Sequence, residues 1–158
     1  MMTSDLHNLL ASKKLTVSTA ESLTGGMIGA ALTSRSGSSV YFKGSIVAYT
    51  LEAKVALLGV DRVQAKACNC VSEEVAEQMA LGVRDLFQTD CSIGVTGYAE
   101  TSLEGEFPFP YAYCVVTCGP MQVKGVVRGP GLARTEMREL VTQTVLRKLT
   151  ELVMQVTK

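Results

Sequence analysis

A β-branched run at residues 15–19 passes within a few residues into Gly25-Gly26 and a helix-period segment over 26–33. A strand that turns so quickly into a helix points to α/β alternation, and the rest of the chain continues it. A helix is predicted over 4–13, a second strand over 45–50 and a helical piece over 52–58. Ser72 opens the clearest helix, with Glu73 and Glu74 in its first turn and Val75, Met79, Val83 and Leu86 as its inner face. A third strand over 91–96 ends at Gly97. Strands over 112–117 and 121–127 form a hairpin about Cys118-Gly119-Pro120, and a helix over 133–156 follows. The pattern predicts a single-domain, three-layer α/β/α fold with a mixed, mostly parallel sheet across residues 1–158.

Between the first strand and its helix lies Ala20-Glu21-Ser22-Leu23-Thr24-Gly25-Gly26. Ser22 is placed ahead of the unpaired N–H groups of a helix's first turn. Those donors, with the positive end of the helix, can hold a phosphate or stabilise an oxyanion. A serine in the same place also serves as a helix N-cap. Both readings stand on this stretch alone.

Histidine narrows the chemistry. The single His7 falls beside the apolar stripe Leu6, Leu9 and Leu10 and reads as a surface residue, so a Ser-His-Asp triad could be built only around the start of the chain. If Ser22 is a nucleophile, its base is lysine or another carrier. The five cysteines, Cys68, Cys70, Cys91, Cys114 and Cys118, suit small buried thiols in a reducing compartment better than a disulfide framework. A zinc site from Cys68-x-Cys70 and Cys114-x-x-x-Cys118 is the alternative, at atypical spacing. Fifteen basic and fifteen acidic residues cancel and there is no tryptophan, which leaves a nucleic-acid partner no electrostatic footprint. No apolar run approaches the roughly 18 residues of a membrane helix, so a soluble, cytoplasmic protein is expected.

Ligands of such sheets gather at the carboxyl ends of strands, and Ser22, Tyr49 and Gly97 all fall there. Lys54 follows Tyr49 closely, near a helix start whose partial positive charge lowers a lysine pKa. A lysine base belongs in that position, although a solvated surface lysine fits the same pattern.

These residues resemble the CinA C-terminal domain family, known as a standalone nicotinamide-nucleotide amidase that deamidates nicotinamide mononucleotide (NMN). The matching segments are Ala20-Glu21-Ser22-x-Thr24-Gly25-Gly26, then Gly37-Ser38-Ser39-x-x-Phe42-x-x-Ser45-x-Val47-x-Tyr49-x-x-x-x-Lys54. Leu58-Gly59-Val60 and Val71-Ser72-Glu73 continuing to Met79-Ala80 follow. The resemblance implies a Ser/Lys amidohydrolase with Ser22 as nucleophile, Lys54 as base and Tyr49 as a supporting proton relay. It implies substrate contacts from Glu21, Thr24, Gly25 and Gly26, from Gly97 and Ala99, and from Arg134. The implied chemistry requires no cofactor and no metal. Its small-molecule partner is a pyridine nucleotide, and the family's frequent self-association implies a homodimer.

The match departs from the family at its second signature, a loop of the form Gly-x-Ala-Gly-Pro-x-Gly-Gly. Gly97-Tyr98-Ala99 is kept, but Glu100-Thr101-Ser102-Leu103-Glu104-Gly105-Glu106 follows. Lost glycines remove positions of free backbone. The added Glu100, Glu104 and Glu106 would repel a substrate phosphate within a Debye length of about 8 Å, unless they point to solvent. Leu23 stands where the family usually has cysteine, and Leu51 where it has asparagine. An inactive or substrate-altered homologue that binds a nucleotide or a protein is therefore the alternative reading.

Overall fold

The third strand, β3 (Cys91–Tyr98), is buried along its first six positions, which demands cover on both faces. The computed structural model, which describes residues 2–157, supplies that cover. β3 sits at the centre of a five-stranded sheet of order β2-β1-β3-β4-β5, with β1 (Val17–Glu21), β2 (Phe42–Val47), β4 (Tyr111–Cys118) and β5 (Met121–Arg128). The sheet is mixed, as expected. β2, β1 and β3 run parallel, whereas β3, β4 and β5 form an antiparallel meander.

Helices α1 (Ser4–Ser12), α2 (Met27–Leu32) and α6 (Arg134–Gln155) cover one face, where Leu6, Ile28, Met137 and Val141 join Val17, Ile93 and Val116 in one core. Helices α3 (Leu51–Leu58), α4 (Arg62–Ala67) and α5 (Glu73–Phe87) cover the other, where Leu58, Val75, Met79 and Val83 pack with Ala20. Gly94 sets how near α5 comes to the sheet, because a Cβ there would run into the Ala76 carbonyl and the Ala80 N–H. Leu146, Leu149, Leu152 and Val153 of α6 are buried within this chain and belong to its core.

Several expectations need correcting. The first strand runs two residues further than predicted, because Ala20 pairs with Ile46 and Gly94, and Glu21 with Val47. The second begins at Phe42 rather than 45 and is over before Thr50, whose hydroxyl instead accepts the Ala53 N–H as the cap of α3. α4 was not foreseen; its signal is Asp61, whose carboxylate accepts the Gln64 N–H. Leu86 is half exposed and lies outside the inner face of α5. His7 is half-buried rather than on the surface, 3.0 Å from the Tyr41 hydroxyl.

The cysteines also differ from five separate thiols. Cys91 and Cys118 occupy directly opposed positions of β3 and β4 and are joined as a disulfide. Cys114 is a buried thiol whose pKa burial pushes up to about 12, while Cys68 and Cys70 are free and half-buried. With Cys118 bonded to Cys91, the four-thiolate zinc alternative is not assembled. Among the described residues no group of three histidine, cysteine, aspartate or glutamate side chains is placed to hold a metal ion. No helix is long and apolar enough to cross a membrane among those residues.

Candidate functional site

β1 ends at Glu21, and the alternation of side chains along a strand sends Glu21 and the next residue, Ser22, to opposite faces. Glu21 turns toward α2. Its carboxylate accepts the Thr24 hydroxyl at 2.7 Å and the N–H groups of Gly26 at 3.0 Å, Ile28 at 3.0 Å and Gly29 at 2.8 Å. The Ser45 hydroxyl adds a further bond at 3.0 Å. A fully buried carboxylate thus takes the donors of the α2 N-terminus, which has no side-chain cap of its own.

This arrangement overturns two readings. Ser22 is not the N-cap of α2, because Glu21 does that work from the strand. The α2 donors expected to hold a phosphate or oxyanion are likewise occupied. Glu21, Thr24, Gly25 and Gly26 do not line the cavity beside Ser22. Their role is structural: the left-handed Gly25 (φ 57°) and Gly26 (φ 104°) fold the chain so that Glu21 meets the start of the helix.

Ser22 turns toward α3. Lys54 lies one turn inside that helix, its N–H bonded to the Thr50 carbonyl at 3.0 Å, and its side chain reaches back under the end of β1. Lys54 Nζ lies 2.9 Å from Ser22 Oγ and 2.9 Å from the Ala48 carbonyl oxygen. Ser22 is 6% exposed and Lys54 1%, and among the described residues no carboxylate forms an ion pair with Lys54. Burial pushes its pKa below the usual lysine value, with the neighbouring Cys70 thiol opposing. The surface-lysine reading is therefore excluded. A buried amine driven toward its neutral form, at hydrogen-bond distance from a hydroxyl, can take that hydroxyl's proton.

The pair opens into a cavity of about 690 Å³, which also reaches Tyr49, Gly97, Ala99 and Arg134. Tyr49 is 58% exposed, and its hydroxyl accepts from Arg134 at 3.0 Å rather than meeting Ser22 or Lys54. One wall is the turn Asn69-Cys70, two consecutive non-glycine residues in the left-handed region (φ 52° and 64°). Thr96 holds that turn by donating to the Cys70 carbonyl at 2.7 Å, and Asn69 donates to the Tyr98 hydroxyl at 3.0 Å. Backbone held in a sparsely populated region at a cavity wall is over-determined by such bonds.

The residues that follow Gly97-Tyr98-Ala99 are anchored by an aromatic cluster in place of glycines. Tyr111 meets Tyr98, Phe107 and Tyr113 edge-on, and its hydroxyl accepts the Glu106 N–H at 2.8 Å. Glu100 and Glu104 line the cavity. Glu106 does not, and its carboxylate accepts the Tyr113 hydroxyl at 3.3 Å.

A family model for the CinA C-terminal domain matches residues 1–153. The chain belongs to the CinA C-terminal domain family. It is 54% identical over 94 residues to a CinA-like protein of Flavobacterium psychrophilum, an alignment covering 60% of this chain and 22% of that protein. A CinA-like protein of Synechocystis is 50% identical over 91 residues, covering 58% of this chain and 22% of the relative. The matched segment thus spans about a fifth of the length of these curated relatives. Among solved structures, the competence/damage-inducible protein CihA of Agrobacterium tumefaciens superposes with a TM-score of 0.85 at 30% identity, covering 96% of this chain and 98% of that one. A CinA superfamily protein of Escherichia coli gives a TM-score of 0.82 at 27% identity, covering 96% and 93%.

Within this CinA domain, one residue that sequence reasoning missed positions the candidate site. Arg138, one turn beyond Arg134 on α6, donates to the carbonyls of Leu23 at 2.9 Å and Thr24 at 3.2 Å, and so grips the turn after Ser22 from across the molecule. The i, i+4 spacing from Arg134 was the available signal. Which carbonyls Arg138 would reach was not legible.

Proposed function

We propose that this CinA domain is a serine amidohydrolase of the nicotinamide-nucleotide amidase type, converting a ring carboxamide to a carboxylate with release of ammonia. The observation that carries it is the 2.9 Å approach of Lys54 Nζ to Ser22 Oγ, in a buried setting that lowers the lysine pKa. Neutral Lys54 accepts the Ser22 proton as Oγ bonds to the carboxamide carbon, and Nζ–H keeps its bond to the Ala48 carbonyl. The tetrahedral intermediate collapses when protonated Lys54 gives its proton to the departing nitrogen, releasing ammonia. Water, deprotonated by the again-neutral lysine, then hydrolyses the acyl-serine. Tyr49 and Arg134 stand at the mouth of the cavity, where in this reading they orient substrate.

Ammonia release from NMN by the purified protein, beside Ser22→Ala and Lys54→Ala proteins checked for folding, tests the proposal. Turnover that falls at least about a thousandfold in both variants is expected. Release no greater than the Ser22→Ala background from NMN and from its unphosphorylated riboside alike would refute it.

A further inference from the structure

The charged groups around the cavity do not suit an anionic ligand. Two carboxylates, Glu100 and Glu104, line it. Against them stands the Arg134 guanidinium, already 3.7 Å from Glu100 and donating to the Tyr49 hydroxyl. Lys54, the other basic side chain in the lining, is buried and bonded to Ser22 Oγ and the Ala48 carbonyl, so it is not presented at the mouth. A phosphate entering this mouth would compete with Glu100 for Arg134 and meet Glu104 unscreened by a second cation.

A cation meets the opposite situation. Tyr49 and Tyr98 border the same space as the two carboxylates. Aromatic faces beside carboxylates favour a positively charged ring through both the quadrupole and the charge. Burial raises the pKa of the Tyr98 phenol, the hydrogen bond from Asn69 opposes it, and Tyr111 and the Glu104 carboxylate add to the rise. Both carboxylates are on exposed residues, and behind Glu104 the Tyr111 hydroxyl accepts the Glu106 N–H.

Resting on the Ser22–Lys54 reading, we infer that Glu100 and Glu104 are specificity determinants. They make the substrate a cationic primary carboxamide without a phosphate, such as an N-alkylated or N-ribosylated nicotinamide. A positive ring above Lys54 also favours the neutral form of that lysine, so the same charge that the rim attracts assists the base.

The test separates charge preference from catalysis. Binding of nicotinamide riboside and of its 5′-phosphate to the Ser22→Ala protein is measured by calorimetry at low and at physiological salt. The riboside is expected to bind at least about tenfold more tightly, with the gap narrowing at higher salt and closing in a Glu100→Gln/Glu104→Gln/Ser22→Ala protein. Equal or tighter binding of the phosphate, or no binding of either, overturns the inference. Ammonia release by the wild-type protein from the same two compounds is followed in parallel. Riboside preference in binding without Ser22-dependent release would sink the amidase reading and leave the charge preference standing. Release that favours the phosphorylated compound would do the reverse.

Discussion

Glu21 and Ser22 are adjacent in the chain and serve opposite faces of the sheet, Glu21 closing the start of α2 and Ser22 meeting Lys54 on α3. The separation frees Ser22 from capping. It also keeps the Glu21 carboxylate on the far side of β1 from the lysine whose neutral form the proposed chemistry uses.

Replacing Glu21 with glutamine keeps the shape but presents an NH2 group to a ring of donors, so one side of the network faces donor to donor. A stability loss of about 2–4 kcal/mol is expected, because buried partners are left unsatisfied. Chemical denaturation measures it, and a loss below about 0.5 kcal/mol would contradict the structural role given to Glu21.

Lys54→Met should abolish turnover and yet raise stability at neutral pH by roughly 1–2 kcal/mol, since burying the ammonium opposes folding. The sign follows from proton counts. The folded-state pKa is lowered while the unfolded chain titrates near about 10.4, so between those values the unfolded state binds more protons and wild-type stability rises with pH. The advantage of Lys54→Met should therefore shrink as pH climbs through that window. Denaturation curves at several pH values check this, and a gap independent of pH would argue against a depressed lysine.

Arg138 touches backbone rather than the cavity, so its loss should act through the placement of Ser22. Arg138→Ala is expected to lower kcat about ten- to a hundredfold with KM little changed, the pattern of a misplaced reacting atom. The acidic limb of the pH–rate profile should stay where it is, because Lys54 keeps its surroundings. A KM effect alone would instead make Arg138 a substrate contact.

Gly94→Ala forces α5 away from β3, where the Ala76 carbonyl and the Ala80 N–H leave no room for a methyl group. Overpacking of this kind costs about 1–3 kcal/mol. Melting temperature reads it directly, and an unchanged value would mean that α5 shifts freely.

Local signals carried the α/β alternation and the cap at Ser72, and the family resemblance named Ser22 and Lys54 as a candidate pair. Propensity, capping and motif spacing act over a few residues and are written locally. The strand ends were read less well. Thr50 looks like the tail of a β-branched run, and only the ladder to β1 ends β2 at Val47 and leaves Thr50 to cap α3. The same limit applied at the candidate site. The resemblance implies a substrate contact for Glu21 because it sits in the motif, whereas period-two alternation turns it away from Ser22. The occupation of the α2 donors by its carboxylate depends on Gly25 and Gly26 folding the turn back onto β1. Cys91 meets Cys118 because the β3–β4 register sets them opposite, Arg138 reaches the Leu23 carbonyl across 115 residues of chain, and Lys54 loses its water only when α3 packs against α5. Burial, register and partner choice are set by contacts distant in sequence, so they exist only once the sheet has closed between its two layers of helices.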